Sequence, residues 1–196
     1  MISMPCISLL EMNPNNVLVL DTETTGLDPK TDELLQIAIV EYDGDGRFSS
    51  FFRPERHKEW PEAMKVNHIT PGAVERCATA FEYRQAIQRI LDSADVLVGY
   101  NIAFDLAFLE AIGVRIPPVP VCDVLADLTD VWKRASLGAA CAHFGIDPLC
   151  LHDAWGDCIS TILVSQEIAK LQARENDEES RRGRHPRRVL WSSDVL

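Results

Sequence analysis

The stretch NVLVLDTETTGL, residues 16–27, decides the reading of this chain. Its first part, NVLVLDT (16–22), holds an apolar run with β-branched members, which suits a central strand covered on both faces. Thr25-Gly26 then marks a turn. Asp21 and Glu23 stand two apart at the strand's end, and alternation along a strand points both side chains to one face. Two carboxylates on one face repel each other. Such a pair is tolerable where solvent screens it and valuable where a hard cation needs oxygen ligands.

Working outward, LLQIAIVEYD (34–43) predicts a second strand, DGDG a turn and RFSSFFRP (47–54) a third strand, so the chain opens with an antiparallel meander. After a polar loop, Thr70-Pro71 predicts an N-cap with proline at the first helical position, continuing as an amphipathic helix through FEYRQAIQRILDSA (81–94). The order then changes. DVLVGYN (95–101) predicts a buried strand, IAFDLAFLEAIG (102–113) a helix, VPVCDV (119–124) a strand and SLGAACAHFG (136–145) a helix. DAWGDCISTILVSQEIAKLQ (153–172) predicts a long helix with Trp155, Cys158, Ile159, Ile162 and Leu163 along one face. A meander followed by strand, helix, strand and two helices indicates a layered α/β domain with a mixed sheet.

Three further residues carry chemistry. Asp105 stands in the first turn of a helix that is apolar on nearly every side, and a buried Asp is rare unless it is paired or bound to metal. A first-turn Asp is also favoured by the helix dipole, so the position alone leaves both readings open. Asn101, four residues earlier, ends the preceding strand and can face the same cleft. His152 precedes the long helix and Asp157 lies within its first two turns, so both reach one point at the helix N-terminus, with Asp153 as the N-cap.

DTETTGL (21–27), NIAFD (101–105) and HDAWGD (152–157), in this order on this succession of elements, resemble the three motifs of the DEDDh exonucleases, the DnaQ-like proofreading enzymes and their ribonuclease relatives. The resemblance covers about residues 14–173, and all five defining positions are present. It implies a ribonuclease H-like fold, a central mixed five-stranded sheet flanked by helices. It also implies two divalent ions, Mg²⁺ or Mn²⁺, bridged by Asp21, with Glu23 and Asp157 completing one site and Asp105 the other. Two such ions activate water on one side of a phosphate and stabilise the leaving 3′ oxygen on the other. His152 is then the general base, a task suited to an unperturbed pKa near about 6.5. For the substrate, the resemblance assigns the turn Thr22, Thr24, Gly26 and Leu27 to the terminal nucleotide, Leu27 as an apolar wedge, and Asn101 and Phe104 to the sugar-phosphate.

Two departures stand out. NHIT (67–70) places His68 where the family often has glycine, and Asn67 where it has histidine. Trp155-Gly156 puts a bulky side chain and a helix-weakening glycine inside the third motif.

A chain of 196 residues with 46% hydrophobic content accommodates one domain. Its boundaries are read as an N-terminal extension at 1–13, the exonuclease domain at 14–173 and a charged, disordered tail at 174–196, acidic through ENDEES and basic through RRGRHPRR. A formal charge of -11 argues against a broad basic surface for nucleic acid. An enzyme that grips a strand end through metal ions needs no such surface. The expected partners are single-stranded nucleic-acid 3′ ends, DNA favoured over RNA, and a polymerase subunit. The six cysteines form no CxxC pair and read as buried reduced thiols. No apolar run spans a bilayer, and the expected location is the cytoplasm. The rival readings are a 3′-to-5′ exoribonuclease of the same family and a noncatalytic module for binding nucleic acid or a polymerase.

Overall fold

The computed structural model describes residues 2–128, 136–148 and 151–181. A short strand β1 (Ile2–Ser3) and 3-10 turns at Cys6–Glu11 and Pro14–Asn16 lead into β2 (Val17–Thr24), β3 (Leu34–Glu41) and β4 (Gly46–Phe51). Three helices follow, α1 (Pro61–Asn67), α2 (Pro71–Val74) and α3 (Ala80–Leu91). The remainder runs β5 (Val96–Gly99), α4 (Ile102–Ala111), β6 (Pro120–Asp123), α5 (Val124–Leu128), α6 (Leu137–Phe144) and α7 (Ala154–Arg181). The six strands are ordered β1-β6-β5-β2-β3-β4. β2 pairs antiparallel with β3 and parallel with β5, so the expected mixed sheet with a central first-motif strand is present.

Alternation along β2 divides the core. Val17 and Val19 face α7 together with Ala38, Val40, Cys158, Ile162 and Val164. Leu18 and Leu20 face α3 and α4 together with Ile37, Ile39, Ile87, Leu106 and Leu109. Asp21 and Glu23 therefore continue the α7-facing row, and Thr22 continues the α4-facing one. A third, smaller cluster of Leu35, Trp60, Ile69 and Val74 supports α1 and α2.

Among the described residues the sheet has six strands, not the expected five. Ile2–Ser3 pairs with β6, and Met4, Cys6 and Leu9 are buried in the main core, so residues 2–9 belong to the fold instead of forming an extension ahead of it. Without that segment β6 would present an unpaired edge. Nor does one helix run from Thr70 to residue 94. Thr70 caps only α2, and a second start intervenes at Thr79, whose backbone N–H and hydroxyl both donate to the Glu82 carboxylate. Along α7, Leu163 is exposed and Val164 is buried, because the stripe set by Cys158, Thr161, Ile162 and Ser165 leaves position 163 on the outer side. α7 also runs past residue 174 to Arg181, since no glycine or proline lies between Asp157 and Gly183. Residues 182–196 of the predicted tail lie outside the described residues, as does Cys150. Of the other cysteines, Cys6, Cys122, Cys141 and Cys158 are buried and Cys77 is half-buried, all as free thiols. Among the described residues no helix is long and apolar enough to cross a membrane.

Candidate active site

The C-terminal end of β2 opens into a cleft of about 420 Å³. Asp21, Thr22, Glu23 and the turn Thr24–Leu27 form its floor, Tyr100, Phe104 and Asp105 one side, and His152 and Asp157 another. Residues of α1, namely Glu62, Ala63, Val66 and Asn67, close it. The structure thus brings together the four predicted carboxylates and the histidine from three separate motifs.

Each is held by its own element. Asp105 is 3% exposed on α4 and accepts a hydrogen bond from the Thr22 hydroxyl at 2.7 Å, a contact that ties α4 to β2. Asp157 is buried in the first turn of α7. Its Oδ2 accepts from the His152 backbone N–H at 3.2 Å, while its Oδ1 is buried with no hydrogen-bond partner. His152 itself is exposed and adopts a left-handed backbone with φ 63°, which turns the chain into α7. One ligand atom each from Glu23, His152 and Asp157 lies within 4.8 Å of the others.

Burial in this crowded site raises every one of these carboxyl groups. Asp21 is pushed well above the usual carboxylate range by burial, then by the charges of Asp105, Asp157 and Glu23. Glu23 is raised to about 8 by burial and by Asp157, against a hydrogen bond from Asn67. Asp105 is raised to about 7 by burial, opposed by the Thr22 hydroxyl, and Asp157 to about 6 by burial, opposed by the His152 amide. Four carboxylates crowded in a desolvated cleft repel one another when ionised, and a cation among them would offset that repulsion. A buried carboxylate oxygen without a donor is the feature such a cation would satisfy.

The turn residues are placed for close approach. A Cβ at Gly26 would meet the Asp32 carboxylate at 2.5 Å, so a larger residue there would have to displace that side chain, which accepts from the Asp28 N–H. Thr24 Oγ1 donates to the Gly26 carbonyl at 2.5 Å and shapes the turn. Leu27 is 83% exposed and Val66 49%, two apolar side chains left bare at the cleft. Phe104 lines the cleft with its ring centroid 4.9 Å from that of Phe108. Asn101 is not among the lining residues. It holds φ 62° at the start of α4 and its backbone N–H donates to Asp123 at 2.9 Å.

His68 also lies outside the lining. It ends α1 at φ 58°, the left-handed region that favours glycine, which explains the glycine expected at that place. Asn67 is the cleft residue. It is 6% exposed, donates to the Thr24 carbonyl at 3.2 Å and accepts from Ile69 N–H at 3.1 Å. α1 occupies the stretch expected to be a polar loop, and Pro61 opening PEAMKVN is its start signal. Trp155 packs over Gly46, where any Cβ would collide with its ring, so the bulky departure in the third motif points away from the carboxylates.

Residues 18–164 match the RNase_T family model, described as an exonuclease. The DNA polymerase III subunit epsilon of Haemophilus influenzae is 30% identical over 158 residues, covering 69% of this chain and 59% of that protein. E. coli exonuclease I in complex with a dT13 oligonucleotide superposes with a TM-score of 0.68 at 20% identity, over 83% of this chain and 42% of the other. The zinc-bound form of its complex with single-stranded DNA gives a TM-score of 0.67 at 18% identity, over 84% and 42%. The chain spans about half the length of the curated relatives it matches.

Proposed function

Because this chain belongs to the exonuclease family of the RNase_T model, we propose that it hydrolyses nucleic acid from the 3′ end, one nucleoside monophosphate at a time, at the β2 cleft. The observation that carries the reading is the bare, buried Oδ1 of Asp157 beside Glu23 and His152, among carboxyl groups whose charges need a counter-ion. Hard oxygen ligands of this kind suit Mg²⁺ or Mn²⁺. The proposed ligands are Asp21, Glu23, Asp105 and Asp157, holding two ions. When bound, the ions supply a nucleophilic hydroxide and neutralise charge on the phosphate and the leaving oxygen.

The protein's own groups do the rest. The turn from Thr24 to Leu27, with its glycine, lets a terminal nucleotide approach the backbone, and Leu27 and Val66 offer apolar contact to its base. Phe104 and Tyr100 bound the opposite wall. His152, exposed at the rim, takes the proton of the attacking water, while its backbone N–H keeps the Asp157 carboxylate turned inward. Thr22 and Asn67 hold Asp105 and Glu23 in register.

DNA is the proposed substrate, supported by relatives named for a DNA polymerase subunit and by a structural neighbour carrying a dT13 oligonucleotide. The same kinship supports a polymerase as a partner, and the catalytic unit comprises the whole described fold from β1 into α7. Matched 3′-labelled DNA and RNA single strands, incubated with Mn²⁺ or with EDTA, test the proposal. Metal-dependent release of mononucleotides from DNA is expected. Faster release from RNA would assign a ribonuclease, and binding without cleavage would assign a noncatalytic module.

A further inference from the structure

Gln36 is a fully internal polar side chain that the reaction above does not use. It lies on β3 opposite Glu23 in the β2–β3 register, beside the irregularity at Glu23/Thr24, and is 2% exposed. Its amide reaches from the sheet to the start of α7. Nε2 donates to Asp153 Oδ2 at 2.9 Å, and Oε1 accepts from the Ala154 N–H at 3.3 Å. A carboxylate only accepts and a backbone N–H only donates, so the amide satisfies both in one orientation alone. Asp153 then accepts from the Gly156 N–H at 3.2 Å through Oδ1, and its carbonyl accepts from the Asp157 N–H at 2.9 Å.

One buried amide therefore links the strand pair that carries Asp21 and Glu23 to the turn from which His152 and Asp157 project. We propose that Gln36 is a positioning residue for the exonuclease reaction: its bridge to Asp153 and Ala154 fixes the first turn of α7 against β2, so that His152 and Asp157 face Glu23. The inference rests on the exonuclease reading of this cleft. Displacement of reacting groups by about 1 Å is enough to lower a rate roughly a hundredfold, so the bridge need shift little to matter.

A donor–acceptor reversal separates positioning from mere core packing. Gln36→Glu sets two carboxylates against each other, and Asp153→Asn sets two amide donors against each other. Combining them lets the new amide at 153 donate to the new carboxylate at 36, whose second oxygen still accepts from Ala154. The double variant also keeps the parent's net charge. Turnover of a labelled single-stranded oligodeoxynucleotide at saturating Mn²⁺, with KM and melting midpoint, is measured for the parent and all three variants. Each single substitution is expected to lower kcat about 10- to 100-fold with KM within about twofold, and the double to recover most of it. A folded Gln36→Glu variant with parental kcat would overturn the inference. So would a double variant no faster than Asp153→Asn. An inactive parent would instead overturn the exonuclease reading, and this inference with it.

Discussion

His152 and Asp157 sit five positions apart, share a hydrogen bond and are expected to fail differently when replaced. Asp157→Ala removes a proposed ligand, so both metal affinity and rate should drop. His152→Ala leaves the backbone N–H to Asp157 in place and removes only the imidazole, so metal affinity should persist while the rate falls roughly 10²- to 10⁴-fold. Mn²⁺ titration by calorimetry, paired with single-turnover cleavage, measures both; equal loss of metal in the two variants would make His152 a ligand instead of a base. Thr22→Val is a quieter change of nearly the same shape. It strips Asp105 of its hydroxyl donor in a site that is 3% exposed, and should cost about 1–3 kcal/mol of stability in the metal-bound protein, read by denaturant titration. At this scale Asp21, Glu23 and Asp105 were legible because each breaks its local pattern, a carboxylate pair closing an apolar strand and an aspartate in an apolar helix, whereas His152 and Asp157 stood out only through the resemblance of HDAWGD to the third motif. Gln36 and Asn67 were not legible. Their partners lie on other elements, and a glutamine in a strand or an asparagine at a helix end looks ordinary until the tertiary contacts exist.

Elements that pack through few but deeply buried residues are equally hard to see in a sequence. The strands β2 to β6 and the helices α4, α6 and α7 announce themselves by continuous apolar runs or by 3.6-residue periodicity, and the sheet's mixed order follows from them. The segment before Asn13 has neither pattern, being a two-residue strand and a 3-10 turn, yet it places Met4 and Leu9 in the core. Burying two such side chains contributes about 3–6 kcal/mol, comparable to the whole stability of many domains. Deleting residues 1–11 should therefore lower the urea midpoint severely or prevent folding, whereas a true extension would leave it unchanged. The second helix start shows the opposite case. Thr-x-x-Glu at 79–82 is readable as a capping box, and was hidden only by the stronger Thr-Pro signal at 70–71. Thr79→Ala should cost about 1 kcal/mol, a shift of a few degrees in melting midpoint, with cleavage unaffected because neither Thr79 nor any α3 residue lines the cleft.

For the whole molecule, net charge and the cleft combine into one pH-dependent balance. A chain of charge -11 gathers four of its acids at one strand end, so folding without metal works against like-charge repulsion. The folded values of Glu23, Asp105 and Asp157, about 8, 7 and 6, all lie above the ordinary carboxylate value near 4. Between about pH 4 and pH 8 the metal-free folded protein therefore binds more protons than the unfolded chain, and its stability falls as pH rises through that window. Below pH 5 the sign mixes with a different set, because Glu33 and Glu82 have lowered values and lose their contribution as they protonate. The clean range is thus pH 5 to 8.5. In EDTA the melting midpoint should decline steadily across it. At one fixed Mn²⁺ concentration, set to a hundredfold excess over the dissociation constant at pH 8.5, linkage adds about 2.7 kcal/mol there and less at lower pH, where protons compete for the same oxygens. Thermal melts at half-unit pH steps, with and without Mn²⁺, measure both slopes. Two parallel curves would mean that the metal and the protons do not share these carboxylates, and a flat EDTA curve would mean that the acids are not packed together in the folded protein.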